Sequence, residues 1–252
     1  MSRTTRNRAG TLLSVLAVIG AWALLATSPA SAANTPLTPR PMFAWSDDVD
    51  PLVTVHALDS FTAPNNTNIN GRVDEIGVPW TLHEGSIMIQ GNAATSPNTG
   101  IATVPTTVKD VMVKADLLFG SDDRYTGVVL HRGPVGELRV IVERDKKEQN
   151  VVLAVVVSGV ITILQTTPQT RGLPKTAALR VESIEGLLRV WLDGTLVMQR
   201  TLTGIEAVIA NQTRYGLLVD PDAKTSPGQD KPKNRPPGFY DRVAGFMVIA
   251  PH

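Results

Sequence analysis

Cysteine is absent from the 252-residue chain, which excludes a disulfide framework and any thiolate metal site. Aromatic residues are scarce at 5%, and neither sign of charge dominates, with 24 Lys and Arg against 23 Asp and Glu. Such balance excludes a basic nucleic-acid tail and a disordered acidic segment. Basic residues gather only at Lys231, Lys233 and Arg235, beside Asp230, so attraction for phosphate is weak and nucleic acid is not an expected partner. No glycine-rich loop links a strand to a helix, and no serine sits in a nucleophile-elbow context.

The chain opens with the pattern of an export signal. Arg3, Arg6 and Arg8 form a basic start, Gly10 to Ala26 is an apolar run, and Ala30-Ser31-Ala32 offers the small side chains that signal peptidase accepts. Residues 1–32 are therefore expected to be a cleaved signal peptide, with an uncleaved anchor as the rival because a 17-residue stretch sits at the lower limit for spanning hydrocarbon. Losing them removes three Arg and no acid, leaving 21 basic against 23 acidic residues, a balance of −2. The expected location is secreted or attached to the cell envelope. A cysteine-free exported chain holds together by packing alone, which a core of this size allows.

Residues 33–56 read as an irregular arm. Pro36, Pro39, Pro41 and Pro51 interrupt any ladder, and Asp47, Asp48 and Asp50 add charge. From Ala57 to His252 the signal changes to short apolar runs broken by Gly, Pro, Asn and Asp. Val111, Val113, Ala115, Leu117 and Phe119 lie on one side of a two-residue period and Asp110, Lys114 and Asp116 on the other, the pattern of a half-buried strand. Strands are likewise expected at Tyr125 to Arg132, Glu137 to Glu143, Val151 to Val157 and Val160 to Gln165. Ser158-Gly159 makes the 14-residue run from Val151 to Leu164 a hairpin of two central strands and not a membrane span, since so apolar a strand left at an edge would invite another chain.

A meander is specified from Ala178 to Thr201, with turns at Ile184-Glu185-Gly186 and Asp193-Gly194. Within it Leu188, Val190 and Leu192 oppose Leu187, Arg189 and Trp191, so Trp191 faces away from the main aliphatic stripe. Tyr215 to Val219 and Val243 to Ile249 complete about 12 to 14 strands, while Asp220 to Gly238, with five prolines, reads as a surface loop. The fold class is all-β, a two-sheet antiparallel sandwich.

The stretch LRVESIEGLLRVWLDG from Leu179 to Gly194 resembles the penultimate hairpin of the concanavalin A-like and laminin-G-like jelly-roll superfamily. Leu58-Asp59-Ser60-Phe61, Gly71 to Trp80 with Ile87 to Gly91, and Phe239 to Val243 extend the resemblance over Ala57 to Ile249. It implies a jelly roll whose ligands lie on the concave sheet face or the loop rim, sometimes with Ca²⁺, and strands near Tyr125 to Arg132 and Glu137 to Glu143 would contribute. The fold hosts glycan-binding modules, glycoside hydrolases, protein-interaction domains and virion tail modules, so it leaves function open. Trp80 is expected to be structural.

The resemblance also suggests an enzymatic reading. Glu143, Asp145 and Glu148 match the Glu-x-Asp-x-x-Glu spacing of the laminarinase-like hydrolases, as nucleophile, supporting carboxylate and acid/base. The family pattern has apolar residues between the acids, whereas Arg144, Lys146 and Lys147 stand there. ERDKKEQN accordingly reads as a charged hairpin tip, and cations beside each carboxylate lower its pKa, the wrong direction for a general acid. No catalytic residue is expected.

Ligand contacts are expected from Tyr125, His131 and Arg132 at a wet rim, and from Trp191 as a platform. A cation would have only oxygen donors, with Asp220, Asp222 and Asp230 or Asp122-Asp123 as the Ca²⁺ candidates. The resulting expectation is an exported, non-catalytic sandwich binding a glycan or a surface partner. The alternatives are a phage tail structural or receptor-binding module and a glycoside hydrolase using Glu143.

Overall fold

The computed structural model describes residues 53–119, 124–144, 149–169, 176–220 and 242–251. The expected signal peptide, most of the arm, Asp122, Asp123, Asp145, Glu148, Asp222 and Asp230 lie outside them. The strands are β1 (Val53–Asp59), β2 (Thr67–Asn68), β3 (Thr81–Glu84), β4 (Met88–Ile89), β5 (Ala94–Thr95) and β6 (Gly100–Pro105). They continue with β7 (Val111–Leu118), β8 (Arg124–Gly133), β9 (Gly136–Arg144), β10 (Gln149–Val157) and β11 (Val160–Gln169). After them come β12 (Thr176–Ile184), β13 (Leu187–Leu192), β14 (Thr195–Thr201), the short helix α1 (Ile205–Ile209), β15 (Arg214–Asp220) and β16 (Arg242–Pro251). The ladder thus begins at Val53, four residues before the expected start.

Two antiparallel sheets result. One runs β14-β13-β12-β7-β16-β5-β4-β2 with β1 also on β16, and the other runs β11-β10-β9-β8-β15-β6-β3. The two-residue period decides which face each residue takes. Val111, Val113, Ala115 and Leu117 of β7 join Leu138, Val140 and Val142 of β9 and Leu153 of β10 in one buried core between the sheets. Three hairpins turn on two residues with positive φ, Ser158-Gly159, Glu185-Gly186 and Asp193-Gly194. That is the backbone twist that suits right-handed strands.

One end of the core is fixed by a buried carboxylate. Asp59, with no exposed surface, accepts from Trp80 Nε1 at 2.7 Å and from the Phe61 amide at 2.7 Å, and pairs with Arg72. Trp80 is buried between Phe61 and Phe246, in the structural role expected of it. Desolvation nevertheless raises the Asp59 pKa, against the lowering effect of its partners.

The hairpin of β10 and β11 corrects one expectation. Only β10 is central; β11 is the last strand of its sheet among the described residues, and its Val160, Ile161 and Ile163 remain exposed.

Candidate functional site

Register assigns the outer face of the seven-stranded sheet. Thr81 pairs with Thr103, Thr103 with Gly216, Gly216 with Val129, Val129 with Arg139 and Arg139 with Ala154, so these residues share one row. A second row holds Glu84, Ile101, Leu218, Gly127, Ile141 and Val152. Ile101, Val129 and Leu218 are buried and, with Ile141, form a small apolar cluster separate from the main core. Gly127 and Gly216 lie between them because the neighbouring strand is too close for a side chain. A Cβ on Gly127 would lie 2.0 Å from the Val140 carbonyl oxygen, and one on Gly216 would lie 1.9 Å from that of Ala102.

Polar side chains gather around this cluster. Glu137, almost fully buried, pairs with Arg132 and accepts from Arg139 Nε at 2.6 Å. Arg214 donates to Thr81 Oγ1 at 2.8 Å and to Thr103 Oγ1 at 3.2 Å, and Thr103 Oγ1 shares a 2.7 Å hydrogen bond with His83 Nε2. Partial burial, then repulsion from Arg132 and Arg214, lowers the His83 pKa to about 4, leaving the ring neutral at pH 7. Burial followed by the positive charge of Arg139 also lowers the pKa of Arg132. Guanidinium forks, a neutral imidazole, hydroxyls and the exposed Glu84 carboxylate thus occupy neighbouring strands. Together they offer fixed donors and acceptors at defined angles.

The residues expected to bind ligand do not form one site. Tyr125 and Arg132 lie near opposite ends of β8, roughly 23 Å apart at the rise of an extended strand. Tyr125 pairs in register with Glu143 and Asp220. His131 is turned the other way. A register shift between Leu130 and Gly133 and a φ of 53° at His131 drive its ring between the sheets. There Nδ1 lies 2.9 Å from the Gln212 carbonyl and 3.2 Å from the Tyr215 hydroxyl, and Nε2 lies 2.8 Å from Ser183 Oγ on the opposite sheet. The expected His131 and Arg132 pair is therefore split by a bulge, and His131 has no exposed surface to offer a ligand.

Gln212 secures that bulge. Its amide donates to the His131 and Gly136 carbonyls at 2.8 and 3.0 Å, and its Oε1 accepts from the Val135 amide at 3.1 Å. Trp191 is on the outer face of the other sheet, as the meander implied, with the Arg180 guanidinium 4.2 Å above its ring. It belongs to a separate surface of the sandwich.

Of the three acids in the hydrolase-like spacing, only Glu143 lies among the described residues. It stands near the end of β9 and accepts from Asn150 Nδ2 at 3.3 Å. Asp220, a Ca²⁺ candidate, closes β15 opposite Tyr125. No group of three or more His, Asp or Glu side chains among the described residues is arranged to hold a metal ion.

Sequence reasoning missed Arg139, Glu137, Arg214, Thr103 and His83. The available signal was the alternation Glu137-x-Arg139, opposite charges two residues apart and hence on one strand face. Arg214 and His83 reach that face from strands distant in sequence, which no local pattern reveals.

No protein-family model matches the chain, and no curated protein matches it by sequence. Solved structures do. A non-specific endo-β-1,3(4)-glucanase from family GH16 aligns at 8% identity with a TM-score of 0.55, over 80% of this chain and 92% of its own. A structure from work on endo-acting O-glycanases of the human gut microbiota aligns at 10% identity and TM-score 0.52, over 79% and 100%. The carbohydrate binding module CBM66 from Bacillus subtilis gives 13% identity and TM-score 0.48, over 73% and 94%. The fold is the concanavalin A-like jelly-roll sandwich.

Proposed function

We propose that the protein is an exported, non-catalytic glycan-binding sandwich whose ligand lies on the outer face of the seven-stranded sheet, over Arg132, Arg139, Arg214, His83 and Glu84. The carrying observation is the network itself. Rigid strands hold the part-exposed Arg132 and Arg214 guanidinium forks, the exposed His83 and Glu84 and the half-buried Ile141 on one face, a combination that suits a sugar's hydroxyls. The glycan-directed names of two structures sharing this fold support the same substrate class. Binding without cleavage is favoured because Glu137, the most buried acid on this face, is engaged by two arginines. A general acid would instead need its proton free to transfer.

A glycan array with the purified processed chain tests the reading, followed by titration calorimetry on the best ligand. Among the described residues Arg214 bonds to the hydroxyls of Thr81 and Thr103, so Arg214→Met is expected to spare the fold. It should weaken binding by about tenfold or more, the loss expected for charged hydrogen-bond donors. Retention of no glycan, or unchanged affinity in Arg214→Met, refutes the site.

A further inference from the structure

We propose that β11 is a self-association edge along which two copies of the protein pair antiparallel, joining their seven-stranded sheets into one. β11 ends its sheet among the described residues, so one side of its backbone has no strand partner there. Val160, Ile161 and Ile163 are 66%, 55% and 64% exposed, and Val160–Gln169 contains no charged residue. Proteins ordinarily blunt such an edge with charge, proline, a bulge or brevity. β11 has a bulge near Leu164 and Pro168 near its end, and both leave Val160 to Ile163 unguarded. Two other edge strands are better protected. β3 has four residues and exposed His83 and Glu84, while β14 carries Arg200 and pairs through a bulge.

A second copy fits this edge better than the protein's own remaining chain. Residues 33–52 contain Pro36, Pro39, Pro41 and Pro51, and residues 221–241 contain Pro221, Pro227, Pro232, Pro236 and Pro237. The longest proline-free stretch in either, Met42–Asp50, carries Asp47, Asp48 and Asp50, charges that suit the uncharged apolar edge less well than a second copy of that edge does. An uncharged edge meets itself without repulsion, and a two-fold axis near Thr162 places Ile161 of each copy beside Ile163 of the other. These would be same-face apolar pairs of the kind that stabilise sheets. With that axis the two strands overlap over Val160–Leu164, about 17 Å, and form roughly four backbone hydrogen bonds, below the number in a typical specific interface. The association is therefore a reversible, concentration-dependent dimer.

Sedimentation equilibrium of the purified processed chain tests the proposal. The mass should rise with concentration toward twice that of one chain, and the double variant Ile161→Lys/Ile163→Lys should return it to one. Both positions are exposed, so the variant's urea midpoint should match the parent's at concentrations where the parent is a single chain; Val160→Lys serves as a second probe should it misfold. A parent that stays at single-chain mass at every concentration overturns the proposal. So does a variant that still dimerises. Slow amide exchange at Ile161 and Ile163 in a single-chain parent also overturns it, because the protein's own chain would then cover the edge.

Discussion

Acid should weaken this protein in part through His131. Burial lowers the His131 pKa to about 4, despite the raising effect of the Gln212 carbonyl, whereas the unfolded ring titrates near 6.5. The sign follows from linkage. Between those values the unfolded chain binds the proton that the folded protein refuses, so stability is complete above about pH 6.5, falls as the pH drops toward 4, and levels off below. For a ring with no exposed surface the loss is about 2 kcal/mol at pH 5 and approaches about 3 kcal/mol at pH 4. With a urea slope of about 2 kcal/mol per molar, the midpoint falls by about 1 M between pH 7 and 5 from this group alone. Other groups titrate too, so the informative quantity is a difference. His131→Asn tolerates the positive φ at that position and carries no titrating ring; it lowers stability at pH 7 but removes this part of the slope. Equal pH dependence of the urea midpoint in parent and variant would refute the reasoning.

Other consequences follow from burial and close approach. Asp59→Ala leaves Arg72 and the Trp80 indole without their shared acceptor and is expected to cost about 3–5 kcal/mol, read from the urea midpoint. Gly127→Ala forces a methyl group against the backbone of Val140 and Ile141, and should cost at least about 3 kcal/mol in the same assay. Trp191→Ala removes the Arg180 stacking contact and lowers stability by about 0.5–1 kcal/mol beyond the lost apolar burial. Because Trp191 is on the other sheet, the variant should retain its glycan affinity in calorimetry.

Much of the sandwich was legible because alternation is local. The stripe from Val111 to Phe119 is buried as its period requires, and the turn dipeptides Glu185-Gly186 and Asp193-Gly194 supply the positive φ that their hairpins need. The ligand face was far less legible. Reading His131 as rim-facing rested on its place at the strand exit before Gly133-Pro134, and one bulge turns its ring between the sheets. Strand order was equally hidden. The apolar run through β10 and β11 has the composition of two central strands, but composition reports burial demand and not sheet position. Only pairing shows that β11 has a neighbour on one side among the described residues.

The two proposals combine into a consequence that separates them. Ile163 pairs with Ala154, which pairs with Arg139, and Ile161 pairs with Val156, which pairs with Glu137. The exposed edge therefore shares its face with the polar network, two strands away. A two-fold axis perpendicular to the joined sheet keeps both outer faces on the same side. The two Arg139 rows are then five strand spacings apart, about 24 Å. A long polysaccharide spans that distance and a short oligosaccharide does not, so the dimer gains effective concentration only on the long chain. Ile161→Lys/Ile163→Lys should thus leave oligosaccharide affinity in solution unchanged while lowering retention on immobilised polysaccharide by about a hundredfold, the low end of bivalent gains. Equal loss in both assays would mean that the lysines disturb the network itself, and no loss in either would mean that the two faces do not act together.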